Sequence, residues 1–151
     1  MVCVIQRVNR AEVIADGVKT GQTEKGLLVL CGVKQGDTEE ICDKIAEKLV
    51  KMRVFEDENG KMNLSAADIG ASMLIISNFT LCASCRRGTR PDFFAAEKPN
   101  RANELYERFI SKVNEFGVHA ESGVFGADMQ ISTSLDGPVT IILDSEKDLA
   151  H

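Results

Sequence analysis

The order of apolar patterns along the chain predicts an α/β fold in which mixed β-sheets are covered by two main helices. Amphipathic stretches of helical period stand at 38–52 and 100–116, and short runs rich in β-branched residues lie before, between and after them. No repeat and no linker composition interrupts the 151 residues, so one domain is expected over 1–151, with a polar tail from about 145. Hydrophobic residues make up 44% and charged residues 27%, ordinary globular values that favour neither disorder nor a membrane class. No apolar run approaches the roughly 20 residues needed to cross a bilayer, and the first residues lack a basic segment followed by a long apolar one. A cytoplasmic location without membrane association is therefore expected.

Val2 to Val8 and Ala11 to Ala15 read as two strands around Asn9-Arg10, followed by the turn Asp16-Gly17. Gly26 to Val33 is a third strand. Gly36-Asp37 then supplies a stop and an N-cap for a helix in which Ile41, Ile45, Leu49 and Met52 share one face. Val54-Phe55 is a strand fragment closed by a turn at 57–60, and Met62 to Gly70 is expected to be loop with brief local structure. In Ala71 to Leu81, the run Met73-Leu74-Ile75-Ile76 fits a strand buried on both faces. Cys82 to Lys98 shows no periodicity and is expected as a long loop, a kind usually functional or mobile. From Asn100 to Phe116 an apolar stripe of Ala102, Leu105, Tyr106, Phe109, Val113 and Phe116 marks the second helix, with Gly117 as the C′ residue. Val118 to Phe125, Ala127 to Leu135 and Val139 to Leu143 read as closing strands.

Two stretches have the character of a site. Ser77, Asn78 and Thr80 follow directly on the buried run, and polar groups at the end of a buried strand either satisfy themselves or line a pocket, since an unpaired one costs roughly 1–3 kcal/mol. Asp136-Gly137-Pro138 is a turn that opens into the apolar run from Val139. These two stretches are expected to build one site. On base rate alone Gly137-Pro138 is an ordinary trans bond.

Other chemistry finds little support. Five cysteines, at 3, 31, 42, 82 and 85, are an odd number, and four stand in or beside apolar or amphipathic runs, so no disulfide framework is expected. Cys82 and Cys85 have a redox or half-zinc spacing, but no further ligand set completes a metal site and no helix start activates a thiol. There is no Gly-x-Ser-x-Gly elbow and no phosphate-loop or dinucleotide fingerprint. No metal and no cofactor are expected. The net charge of −5 opposes broad attachment to nucleic acid. Within it, Arg86, Arg87 and Arg90, with Lys98 and Arg101 behind them, form one basic concentration, either a solvated loop or a phosphate contact, because arginine forks match phosphate oxygens.

Ser77-Asn78-Phe79-Thr80-Leu81 and Asp136-Gly137-Pro138-Val139-Thr140 together resemble the two motifs of the D-aminoacyl-tRNA deacylase family. The resemblance continues through Val4 to Val8, Gly26 to Leu30, Gly60 to Leu64, Arg90-Pro91-Asp92-Phe93 and Ala127 to Gln130. Three positions depart from it: Asn78 stands where the family usually has glutamine, Ala83 where it has glycine, and Leu135 where it has asparagine.

The resemblance implies a three-layer β/β/α domain and hydrolysis of the ester joining a D-amino acid, or glycine, to the terminal adenosine of tRNA, with L-aminoacyl-tRNA rejected. It implies that Phe79 and Thr80 supply backbone N–H donors for the developing oxyanion, a device worth roughly 2.7–4 kcal/mol per donor. It further implies that Ser77 and Asn78 line the substrate site and that Phe125 and Met129 stand near the adenosine, although both are equally good core residues. Thr80 as nucleophile and the RNA's own 2′-hydroxyl are alternative sources of the attack; the second is favoured because nothing evident activates a threonine. In the family a cis Gly-Pro, matched by Gly137 and Pro138, enters the partner subunit's site and excludes an L side chain, which requires a homodimer. The partners implied are the aminoacylated 3′ end of tRNA and a second copy of the chain. The competing readings are a non-catalytic RNA-binding homologue and an editor of another mischarged aminoacyl-tRNA.

Overall fold

The computed structural model describes residues 1–150. Its strands are β1 (Val2–Ala15), β2 (Val18–Thr23), β3 (Gly26–Gly32), β4 (Phe55–Glu56), β5 (Met62–Leu64), β6 (Ser72–Ser77), β7 (Ala120–Ser122) and β8 (Met129–Asp144). The helices are α1 (Glu39–Lys51), α2 (Ala66–Ile69), α3 (Pro99–Glu115) and α4 (Ser145–Asp148), with a 3-10 turn at Phe79–Cys82.

β1 organises the sheet. Its first half pairs antiparallel with β3 and its second half with β2, while β8 follows its opposite edge from Val2 to Ala15. The β1–β8 ladder shifts register between Gln6 and Val8 and again between Val8 and Arg10. Such irregularities bend a strand, so the two strands expected at 2–8 and 11–15 are one bent strand with Asn9 and Arg10 exposed at the bend. β3, β6 and β7 continue as parallel neighbours.

The bend makes the layers. On β6, Met73 and Ile75 face a core shared with Leu27, Val29 and the apolar sides of α1 and α3, whereas Leu74 and Ile76 face a second core with Val8, Ala11, Val13 and Leu28. Period-two alternation thus splits an unbroken apolar run between two interiors. Helices, inner sheet and the folded-over half of β1 with its neighbours stack as α, β and β, in agreement with the expected three-layer α/β arrangement. Each large aliphatic side chain buried in these cores contributes about 1.5–3 kcal/mol.

Both main helices form where their periodicity predicts. The N-cap of α1 is Thr38, whose hydroxyl accepts from Ile41 N at 3.2 Å, rather than the expected Gly36-Asp37. Asp37 is instead buried, its carboxylate accepting the Lys34 N–H at 2.7 Å. α3 starts at Pro99 and is followed by Gly117 at φ 91°, a left-handed position suited to glycine. Arg108 on α3 clasps Asp43 on α1 with two hydrogen bonds of 2.7 Å.

Several boundaries differ from expectation. β2 forms over a polar segment with no apolar alternation to reveal it. The strand expected over Ala71 to Leu81 stops at Ser77, and the one expected over Val118 to Phe125 spans only Ala120–Ser122. The Met62 to Gly70 loop contains β5 and the capped turn α2. The polar tail contains α4, capped by Asp144; His151, which the expected tail also includes, lies outside the described residues.

The two closing strands expected on either side of Gly137-Pro138 are one strand, β8. Leu135 stands opposite Val8 and Thr140 opposite Gln6, so the four residues 136–139 stand against Arg7 alone and bulge from the ladder. β8 pairs only with β1, which leaves its outer edge without a strand partner among the described residues, with Ile131, Leu135 and Ile142 exposed.

Candidate active site

At the C-terminal end of β6 the chain turns at once into the 3-10 turn. Gly32 favours it: a Cβ there would stand 3.0 Å from Asn78 O and 3.1 Å from Leu81 Cβ, so a larger residue would press the turn away from the end of β3. Asn78 N donates to Cys31 O at 2.8 Å, and the first bond inside the turn runs from Leu81 N to Asn78 O at 3.3 Å. The N–H groups of Phe79 and Thr80 precede that bond, as the opening donors of a helical turn do.

Ser77, Asn78, Phe79 and Thr80 form one wall of a cleft of about 840 Å³. Phe125, Ala127 and Met129 form another, and Phe93, Lys98 and Pro99 close the rim from the long loop and the start of α3. The Thr80 hydroxyl donates to Asn78 Oδ1. Phe79 is 57% exposed and meets Phe93 edge to face, ring centres 5.1 Å apart. Phe125 tilts against Tyr106 at 6.0 Å. Met129 reaches beneath the chain at Gly123, where a Cβ would stand 2.4 Å from its sulfur. The cleft therefore combines apolar walls with a group of hydrogen-bonding atoms at the end of β6, a form suited to a small-molecule ligand with apolar and polar parts.

Gly137 and Pro138 are exposed, joined by a cis bond, and not part of this cleft. Gly137 lies eight residues beyond Met129 on the same strand, on the order of 25 Å of extended chain. Within one chain, then, the two motif stretches do not meet, contrary to the reading of the residues alone. Arg86, Arg87 and Arg90 are exposed on the loop after the 3-10 turn, and none forms an ion pair among the described residues.

The chain matches the family model described as D-Tyr-tRNA(Tyr) deacylase over residues 4–144. It belongs to the D-aminoacyl-tRNA deacylase family. A relative of that name from Persephonella marina is 51% identical over 146 residues, covering 97% of this chain and 99% of the other. One from Shewanella baltica is 51% identical over 143 residues, covering 95% and 99%. Among solved structures, one described as c-Myc DNA Unwinding Element Binding Protein superposes with a TM-score of 0.90 at 35% identity, covering 95% of this chain and 98% of that one. Another, described as a probable eukaryotic D-amino acid tRNA deacylase, has a TM-score of 0.78 at 15% identity over 94% and 97%, a likeness of fold.

The deacylase fold also makes sense of a residue that reading the sequence did not single out. Arg7 is buried behind the β8 bulge, where Nη1 donates to Val54 O at 2.8 Å and Nε lies 3.1 Å from the Asp136 carboxylate and 3.3 Å from the Asp136 carbonyl oxygen. A charge set between Ile5 and Val8 in a buried strand was the signal for it, because a buried charge is kept only where it is paired. Phe93, Glu97 and Lys98 also reach the cleft; they come from a stretch without periodicity, which gave their side chains no direction.

The five cysteines are all free. Cys82 is buried and its thiol lies 3.6 Å from Val33 O, positioned to donate. Burial pushes that thiol up, away from the thiolate a redox centre needs. Cys3, Cys31 and Cys42 are buried and free, and Cys85 is exposed and free. Among the described residues no three His, Cys, Asp or Glu side chains gather into a metal-binding group. Among the described residues no helix is long and apolar enough to cross a membrane.

Proposed function

We propose that the chain hydrolyses the ester of D-aminoacyl-tRNA, and of glycyl-tRNA mischarged on a tRNA for alanine, releasing the free amino acid and tRNA and rejecting L-aminoacyl-tRNA. The observation that carries this reading is the polar end of β6: two backbone N–H donors, of Phe79 and Thr80, open a helical turn on the wall of a cleft of about 840 Å³. An aminoacyl ester is already activated, so donors aimed at its developing oxyanion account for a large part of the acceleration, roughly 10²–10³ each. Ser77 and Asn78 orient the acyl group, while Phe125 and Met129 hold the adenine. The Thr80 hydroxyl gives its hydrogen to Asn78 and is bonded to no histidine or carboxylate among the described residues, which supports the RNA 2′-hydroxyl as the group that assists attack.

The chiral gate acts between two copies. Gly137 and Pro138 project from the bulge on the free edge of β8, far along the strand from their own cleft, and exposed apolar residues flank them. A second copy docked on that edge would receive the Gly-Pro pair in its cleft, where backbone so close to the α-carbon leaves space for hydrogen but not for an L side chain. Glycine passes for the same reason. Arg86, Arg87 and Arg90 meet tRNA phosphates beyond the cleft, and the protein works in the cytoplasm beside its substrate.

Incubation of purified protein with D-tyrosyl-tRNA, and separately with the same tRNA uncharged, tests the reading. Multiple turnovers on the charged tRNA are expected. Tight binding of both RNAs with no release of amino acid would make the chain an RNA-binding homologue instead.

A further inference from the structure

Phe94 is the most exposed large apolar side chain among the described residues, at 76%, yet the backbone that carries it is well tied. Ser84 and Asp92 exchange both backbone hydrogen bonds at 2.9 Å, closing a hairpin, and Phe94 N lies 3.4 Å from Asp92 Oδ1. Beyond it, Gln35 N donates to Ala95 O at 2.9 Å, Ala96 N to Phe93 O at 3.0 Å and Glu97 N to Val33 O at 3.0 Å. An aromatic ring is thus held out in water from an anchored segment.

Its neighbours indicate what covers it. Phe93, the preceding residue, lines the cleft, so Phe94, which does not line it, is carried by the same segment that forms the rim. The hairpin closed by Ser84 and Asp92 carries Arg86, Arg87 and Arg90 and no acidic residue between them, in a chain whose net charge is −5. An exposed aromatic beside unpaired arginines is the combination that holds single-stranded nucleic acid, with bases stacked on the ring and phosphates on the cations.

We infer that Phe94 is a stacking platform for a nucleobase upstream of the terminal adenosine, so that the mouth of the cleft reads the single-stranded 3′ end of the RNA as well as its last nucleoside. This rests on the deacylase reading above and extends it to a second subsite. Stacking on an aromatic face tolerates any base, so the subsite would serve every tRNA that shares a single-stranded end.

The test compares D-tyrosyl-tRNA with D-tyrosyl-adenosine, which lacks everything upstream. For Phe94→Ala the ratio of kcat/KM on the tRNA to that on the nucleoside is expected to fall about 10- to 100-fold, the loss of one base–aromatic stack, and Phe94→Trp is expected to restore it. An unchanged ratio would overturn the inference, and so would a shift of Phe94→Ala to a different oligomeric state in sedimentation, which would assign the ring to a protein contact. Binding of an uncharged RNA ending in CCA is measured in parallel. If the wild type bound it but hydrolysed neither ester, the deacylase reading would fail while the stacking subsite was still judged by the loss of binding in Phe94→Ala.

Discussion

Arg7 Nε stands 3.1 Å from the Asp136 carboxylate and 3.3 Å from the Asp136 carbonyl oxygen, so one buried guanidinium holds both the side chain and the backbone of the residue that leads into Gly137. Because Arg7 also donates to Val54 O at 2.8 Å, it connects the bulge of β8 to the segment ahead of β4. Replacing it by alanine removes charge-assisted hydrogen bonds worth about 1.5–3 kcal/mol each and leaves the Val54 carbonyl without its donor. Arg7→Ala is expected to lose roughly 2–4 kcal/mol in urea denaturation, and Arg7→Lys to recover only part, since an ammonium lacks the planar fork. Equal stability of all three proteins would show that the bulge needs no clasp.

The Thr80 hydroxyl is committed to Asn78, and no histidine or carboxylate is bonded to it among the described residues. Thr80→Ala is therefore expected to lower kcat/KM on D-tyrosyl-tRNA by about 10-fold or less, the range of a single hydrogen bond, with an unchanged circular dichroism spectrum. A loss beyond 10³ in a folded protein would make the hydroxyl the nucleophile.

Lys34 and Asp144 pair at 2.8 Å and are both largely shielded. Burial works against the charged Asp144 carboxylate, but hydrogen bonds from Lys34 and Glu146 N outweigh it and hold its pKa below the ordinary value. Burial likewise works against the Lys34 ammonium, and its bond to Asp144 outweighs it, so that pKa is raised. The carboxylate's contribution is complete above its unfolded pKa of about 3.9 and is lost as pH falls through the lower folded value. The ammonium's contribution is present below its unfolded pKa of about 10.4 and is lost as pH rises through the higher folded value. Asp144→Asn is expected to lower Tm by roughly 3–8 °C at pH 7 and to show a smaller deficit below pH 3. A deficit independent of pH in calorimetry would mean that the α4 cap, and not the charge, matters.

Leu135 is 45% exposed on the free edge of β8, beside the bulge. Leu135→Asp is expected to leave a folded monomer in sedimentation, if the proposed dimer forms on this edge, and to relax the rejection of L-tyrosyl-tRNA, because a lone chain would lack the proposed gate. Undiminished rejection of L-tyrosyl-tRNA by a monomeric protein would place the gate elsewhere.

Much of this was legible in the sequence because it rests on local periodicity. Helical spacing located α1 and α3, and the run Met73 to Ile76 announced a strand buried on both faces. The matched stretches around Phe79 and Pro138 pointed to the family that the comparisons identify. What the sequence did not disclose depends on pairing. The bend in β1 and the bulge at 136–139 arise from register against β8, a relation between residues more than a hundred positions apart. β2 forms because β1 is there to pair with it. Phe93 and Lys98 take part in the cleft through the anchoring of their loop to Val33 and Lys34, which no periodicity encodes.

Chiral rejection is the central claim, and its most direct measurement is kcat/KM for D-tyrosyl-tRNA against L-tyrosyl-tRNA on the same purified protein. The account predicts rapid release of the D-amino acid and a D-to-L ratio of at least 10³, the discrimination expected when backbone bars a side chain from the cleft. Comparable hydrolysis of both esters would contradict it, leaving a deacylase without a chiral gate.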